Sequence, residues 1–469
     1  MAKKPLLFFT AYPAEGHANP VLKVAHGMIA RGYDVVFHCS KDFEARIRAM
    51  GAEFTEEPGF LDLADPEVLA QSLAMPPGLD ALFFALLHFF IKPIPRLAES
   101  LGRALEDVRA REGPDRQIIV MAELCSSGVL PFRYGRPAPH GFGGVFPRTI
   151  GLSAIGLAVR SIDTAPYMLG LPPDSTESGR LRNAALRRLM KAGLAKPSLD
   201  ALEELLRQAG ATALPPGGVD LVDAWFLTPD VTLQMCLPAQ EYALSDLDPK
   251  IHFVGCLPRR EPRPDDPYPD WWSELVANSS SSSSSSEEEG KKKRRKKVIF
   301  VCQGTIAMDL NQLVIPTMRA FADRADDDGV LVVAALGARG ATLPEGTDVP
   351  PNARVADYIP YDTVLEHADV MVSNAGTGGL NHAVVNGVPL VLAGVTEDKI
   401  ESTMRATRAG YAVGLFTQNP SAEQIREGVE TVLSDARYKN RAMELKAENE
   451  AMGCLDKIEG WVKKYTEEG

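Results

Sequence analysis

The sequence predicts an α/β protein of two doubly wound, Rossmann-like domains facing each other across a cleft. Two observations carry this. Short apolar runs alternate with segments of helical spacing over residues 1–257, and the same alternation restarts at residue 298. A third, a low-complexity stretch between them, marks the connection. At 469 residues the chain is also long for a single core.

The first half opens with the strand-like run Pro5–Thr10, a Gly/Pro/Asn-rich segment Tyr12–Pro20, a helical pattern Val21–Ala30 and a second run Asp34–Cys39. Ile118–Ala122 and Val231–Cys236 read as later strands. Residues 135–175 mix Gly, Pro and aromatics and read as long loops with short helices. From Pro258 to Lys297 the composition shifts to proline, then Ser279–Ser286, Glu287–Glu289 and the basic run Lys291–Lys297. Such sequence has little apolar surface to bury and reads as a solvated linker with an insertion. Beyond it, Val298–Cys302, Val330–Ala335, Val370–Ser373 and Val388–Ala393 read as strands, with helices at Leu310–Ala325, Leu380–Asn386 and Ser402–Ala409. Helices around Ala422–Leu433, Tyr438–Met452 and Leu455–Tyr465 close the chain. The predicted domains are 1–257 and 298–445, with a linker at 258–297 and terminal helices at 446–469 packing back towards the first domain.

Composition excludes several classes. With 50 basic against 62 acidic side chains the chain is acidic, so no nucleic-acid footprint is expected. The six cysteines have no zinc-like or CxxC spacing, which argues against a structural metal and fits a reducing, cytoplasmic location. Leu6–Thr10 is too short for a signal-peptide core. Ala81–Ile91, bounded by Pro93 and Pro95, is too short to span a bilayer, so no transmembrane segment is expected.

Two constellations carry chemistry. Gly16-His17-Ala18-Asn19-Pro20 follows the first strand, where loops of an open parallel sheet meet ligands. Gly16 is expected to let the backbone turn and His17 to accept a proton. Glu123, ending the run Ile118–Ala122, is placed on the same rim as its orienting carboxylate. In the second half, Asn374-Ala375-Gly376-Thr377-Gly378-Gly379 follows a strand and opens a helix, an arrangement suited to a diphosphate. Glu397-Asp398-Lys399 follows a later strand and suits a polyhydroxyl ligand, and Cys302-Gln303-Gly304-Thr305 offers another polar loop. Asp246-Leu247-Asp248 reads as a solvated loop, not a metal site.

These elements together resemble family-one glycosyltransferases of the two-Rossmann-domain (GT-B) fold, in their bacterial and fungal branch. The family's Gly-His-x-x-Pro stands at Gly16–Pro20, with His17 at its general base, and Glu123 falls where many members carry an aspartate. The family's donor signature is matched by Tyr358-Ile359-Pro360-Tyr361, Asn374-Ala375-Gly376, Gly387-Val388-Pro389 and Asp398-Lys399. Departures are Asn374 for a diphosphate-contacting histidine, Gly379 for a Ser or Thr, His382 for a ribose-binding glutamate, and Lys399 for a sugar-contacting glutamine.

The resemblance implies inverting transfer of a hexose from a nucleotide sugar, UDP-glucose by expectation, to a hydroxyl of a small apolar or phenolic acceptor. His17 and Glu123 are its catalytic residues. Gly16, Thr305, Tyr358, Ile359, Asn374, Gly376, Thr377, Gly378, Gly379, His382, Glu397, Asp398 and Lys399 bind the donor, with no metal and no further cofactor. Phe83, Phe84, Leu87, Phe90, Phe142 and Phe146 are expected to line the acceptor pocket. The alternatives are an NAD-dependent oxidoreductase, a non-catalytic sugar-nucleotide-binding partner and a nucleotide-sugar epimerase. Oligomeric state is left open, a homodimer included.

Overall fold

The computed structural model describes residues 3–59, 62, 65–76, 78–262, 266, 268–280, 295–304, 309–324 and 329–468. Thr305 and most of the Ser/Glu/Lys insertion lie outside the described residues. The chain divides into two compact units. One comprises residues 1–238, 242–257 and 452–469, the other residues 239–241 and 258–451.

The first unit is built on seven parallel strands: β1 (Leu6–Thr10), β2 (Asp34–Cys39), β3 (Glu53–Glu56), β4 (Ile118–Glu123), β5 (Thr149–Ser153), β6 (Val231–Gln234) and β7 (Ile251–Phe253). Their order is β3-β2-β1-β4-β5-β6-β7, so the connections reverse direction at the β1/β4 boundary. β1 is Leu-Leu-Phe-Phe-Thr and wholly buried, as a parallel strand covered on both faces must be. Helix Glu15–Ala30 covers one face, and helix Cys454–Glu468 packs beside it through Cys454, Ile458 and Val462.

The second unit repeats the plan with β8 (Lys297–Cys302), β9 (Val330–Ala335), β10 (Ala353–Ala356), β11 (Val370–Ser373), β12 (Leu390–Leu392) and β13 (Ala412–Gly414). The order is β10-β9-β8-β11-β12-β13, again all parallel. Residues 239–241 belong here because Glu241 pairs with Arg405 at 2.6 Å and Gln240 Nε2 donates to Asn381 Oδ1 at 3.1 Å.

Several expectations are corrected. β5 runs through the region read as loops, and β3, β7, β10 and β13, each three or four residues long, have too few residues to show a period. Part of the expected linker is packed structure: helix Trp272–Ser280 buries Leu275, and Trp271 Nε1 donates to Val355 O at 3.1 Å. Asp246 is no merely solvated acid, since it accepts from Ser161 Oγ and Ile162 N and so ties two loops together. Helix Leu310–Ala325 shrinks to Val314–Ala320.

Pro93 and Pro95 do not end the apolar run at Ala81–Ile91. They sit at the start of helix Ile94–Glu112, where a missing N–H costs nothing, and the chain stays helical from Leu79 to Glu112. This stretch is long and apolar enough, by length and composition alone, to cross a membrane, with 33% of its apolar window buried. Its second part is a core helix that sets Ile94, Leu97, Ala98, Leu101, Leu105 and Val108 against the first sheet.

Candidate active site

In the first unit, β1 and β4 lie side by side with Thr10 opposite Ala122. This register brings the segment after β1 level with Glu123, one residue on. The turn is made by residues 11–14, and the helix begins at Glu15 with Ala14 as its N-cap. His17 therefore stands in the first helical turn rather than in a loop. Gly16 is helical too and makes no left-handed turn, and a Cβ there would meet nothing within 4 Å.

His17 Nδ1 lies 3.1 Å from Glu123 Oε1. The Glu123 side chain is fully buried, whereas His17 is 21% exposed. Glu123 Oε2 accepts from the Cys125 backbone N–H at 3.2 Å, fixing the carboxyl plane. With Nδ1 donating to the carboxylate, the ring lone pair sits on Nε2, the state a general base needs.

Tyr12 stands edge-on to the His17 ring at 5.3 Å and stacks on Phe90 at 4.5 Å, while Phe90 meets Trp225 at 5.5 Å. Burial, aided by the acidic groups around it, pushes the Tyr12 hydroxyl far above its ordinary range, so it stays protonated. Thr10 Oγ1 and Ser126 Oγ, 2.9 Å apart, tie the ends of the two strands. Sequence reasoning missed Tyr12, Cys125 and Trp225. Tyr12 and Cys125 were findable as the residues flanking the two predicted strand exits.

Cys125 adds a further feature. Its sulfur, a His17 nitrogen and a Glu123 oxygen all lie within 4.8 Å of one another, a donor set of metal-ligating kind.

The expected acceptor aromatics divide. Phe90 lies beside His17, with ring centroids 6.4 Å apart. Phe84 stacks on His88, and Phe83 and Leu87 are half-buried on the same helical segment. Phe142 instead lies beneath the Arg109 guanidinium, and Phe146 stacks on Phe132. Both rings pack against the core of the unit.

In the second unit, Gly376 caps helix Thr377–Asn386 after β11. The left-handed residue of the turn is Ala375, at φ 66°, not a glycine. A non-glycine held there is strained, and such strain collects at ligand-binding turns. Asn374 does not hold its whole amide for a ligand: Nδ2 donates to the Gln303 carbonyl and ties the exits of β8 and β11 together. Gly394, at φ 113°, completes this knot, because a Cβ there would meet Asn374 O at 2.7 Å.

Thr377 Oγ1 donates to Asp398 Oδ2 at 2.9 Å, joining the helix start to the loop after β12. Lys399 is buried, donates to Thr396 Oγ1 at 3.0 Å and touches the Glu397 carboxylate. Burial lowers its ammonium to about 8. His382 Nδ1 lies 2.7 Å from Oδ1 of the buried Asp362, a partner that sequence reasoning missed.

Gly378 and Gly379 leave room over the helix start; a Cβ at Gly379 would make ordinary contact with Ser373 Oγ at 3.4 Å. Tyr358 is 37% exposed and carries the Arg339 guanidinium 4.8 Å from its ring centre, so one face is already used. Ile359 is a core residue at 1% exposure, and its side chain cannot meet a donor.

Comparison with known proteins is consistent across the chain. Residues 320–462 match the family described as erythromycin biosynthesis protein CIII-like, C-terminal domain. The chain is 38% identical over 456 residues to UDP-glucosyltransferase 1 of Beauveria bassiana, covering 97% of this chain and 94% of that protein. It is 34% identical over 462 residues to UDP-glycosyltransferase 2 of Phaeomoniella chlamydospora, with coverage of 97% and 94%. Among solved structures, the glycotransferase of kitacinnamycin superposes with a TM-score of 0.67 at 20% identity, covering 99% of this chain and 100% of that one.

Proposed function

The chain belongs to the family-one, GT-B-fold glycosyltransferases that act on small molecules, and from that premise we propose that it is an inverting, UDP-sugar-dependent hexosyltransferase with His17 as general base. Membership of this family displaces the oxidoreductase and non-catalytic alternatives. The observation that carries the proposal is the His17 Nδ1–Glu123 Oε1 contact of 3.1 Å at the exits of β1 and β4. A histidine held by a buried carboxylate, next to the aromatic group of Tyr12 and Phe90, suits deprotonation of a hydroxyl on an apolar or phenolic acceptor.

In the proposed step, His17 Nε2 takes the acceptor proton as the acceptor oxygen attacks the anomeric carbon. The bond from that carbon to the diphosphate oxygen breaks, and the diphosphate leaves with the electron pair. Inversion follows from a single displacement. Glu123 stabilises the imidazolium that forms. Backbone N–H groups at the start of helix Thr377–Asn386 take up the leaving-group charge. Donor recognition is assigned to His382, Asp398 and Lys399 with this helix start. UDP-glucose as donor, no added cofactor, and a cytoplasmic site of action belong to the same reading.

The test combines binding and turnover. UDP at about 100 times its Kd should stabilise the fold by about 2.7 kcal/mol, with ADP and NAD weaker. A UDP-sugar and a phenolic acceptor should give the glycoside with inverted anomeric configuration. A product of retained configuration, or stabilisation by NAD but not UDP, would sink this reading.

A further inference from the structure

Helix Glu177–Ala192 of the first unit turns leucines to solvent. Among its exposed residues, Leu181, Ala184, Ala185, Arg188, Leu189 and Ala192 fall at spacings of three and four and form one stripe that begins at Glu177 and Ser178. Leu181 is 66% exposed and Leu189 71%, and Leu194, just beyond the helix, 43%. Lone exposed leucines need no explanation, but an aligned stripe does. The opposite side carries the half-buried Leu186 and Met190 and is anchored by polar contacts. Arg180 pairs with Asp163 at 2.8 Å, Arg187 donates to the carbonyls of Ser161 and Thr164, and Asn183 donates to Ile162 O at 3.0 Å. Those bonds hold the helix with its leucines turned to solvent.

Charge says what the stripe faces. In a chain of net charge −12, helix Glu177–Ala192 carries five bases (Arg180, Arg182, Arg187, Arg188 and Lys191) against one acid, the exposed Glu177 in its first turn. Arg188 and Lys191 are exposed and have no hydrogen-bond or ion-pair partner among the described residues. Apolar side chains flanked by bases match an anionic bilayer surface, where leucines enter the headgroup boundary and bases meet lipid phosphates. A second copy fits worse, because an isologous contact centred on this stripe would bring Arg188 and Lys191 close to their own symmetry mates.

We propose that helix Glu177–Ala192 is a peripheral docking surface for membranes rich in anionic lipid. The apolar patch is small, so the binding is reversible and salt-sensitive. The inference does not rest on the transferase reading. It does add to it, because helix Lys196–Gln208 packs against this helix and also against segment Leu86–Ile91, which carries Phe90 beside His17. Apolar acceptors collect in bilayers, so docking there would raise their concentration near the acceptor side.

The test is co-sedimentation of the full chain with vesicles of phosphatidylcholine alone, or of phosphatidylcholine mixed with phosphatidylserine. Binding is expected on the mixed vesicles, weak on phosphatidylcholine, and reduced by salt. Each base near such a surface contributes roughly fivefold, so Arg188→Glu with Lys191→Glu should weaken binding at least about 25-fold. Leu181→Ser with Leu189→Ser should also weaken it. Both double variants should keep the wild-type melting temperature, because the side chains they change are exposed. Failure of the wild type to sediment with the mixed vesicles at low salt overturns the proposal, as does unchanged binding of the charge-reversed variant. A wild-type dimer that the serine variant converts to monomer would instead assign the stripe to a second copy.

Discussion

His382 and Asp362 form a second histidine–carboxylate pair, in the other unit, with Nδ1 and Oδ1 2.7 Å apart. Asp362 also accepts from Asn386 Nδ2 at 2.9 Å and from Arg260 N at 2.7 Å, and its side chain is 1% exposed. Replacing it by alanine strands buried donors at a cost of about 1–3 kcal/mol each. Asp362→Ala should therefore lower the denaturation midpoint markedly. His382→Ala, at a side chain 36% exposed, should weaken nucleotide binding with little change in that midpoint. Calorimetry on both variants separates the two effects.

His17→Ala should lower kcat by about 10²–10⁴ for an alcohol acceptor and leave the donor Kd unchanged. Glu123→Gln should cost less, since an amide still holds the ring, though not its charge. An acidic phenol, already ionised at high pH, should partly rescue His17→Ala. Equal kcat for wild type and His17→Ala on an alcohol near neutral pH would remove His17 from the mechanism.

Lys399 links pH to both binding and stability. Its folded value of about 8 lies below the ordinary 10.5, so the unfolded state binds more protons between these two pH values. Stability should rise with pH across that window, and the destabilising contribution should be constant below about 8. Donor affinity should do the opposite, falling as pH rises through about 8 and the ammonium loses its charge. Lys399→Met should flatten both profiles, measurable by urea unfolding and by UDP titration from pH 7 to about 10.

The cluster of His17, Glu123 and Cys125 tests metal against base. With His17 acting as base, a chelator such as EDTA should leave turnover unchanged, and Cys125→Ser should retain most of it. Loss of activity on chelation, restored by zinc, would make the cluster a metal site.

Gly379→Ser should be tolerated, because the new Cβ enters ordinary contact distance of Ser373 Oγ. Replacing a helical glycine by serine should add at most about 0.5 kcal/mol of stability, since serine is itself a weaker helix former than alanine. The serine hydroxyl at the helix start should also tighten UDP binding, read by calorimetry.

The sequence by itself determined the two α/β units and the loops that carry chemistry. Both are local properties: a buried parallel strand shows as an unbroken apolar run such as Leu6–Phe9, and the strand–turn–helix order puts His17 and Thr377 at strand exits. Helix starts were read late, since Glu15, Thr377 and Lys399 belong to polar or glycine-rich first turns that look like loops. Only the tertiary structure decided which side chains meet. The strand ends put Glu123 on the rim of His17 in the sequence, but the 3.1 Å contact between them, 106 residues apart, comes from the register of β1 with β4. The same holds for Asp362 behind His382, for Asn374 bonded to Gln303, and for Phe142 and Phe146 drawn to Arg109 and Phe132. Residue type states what a side chain can do, but packing selects its partner, because one buried donor or aromatic face satisfied by the protein is no longer wholly available to a ligand.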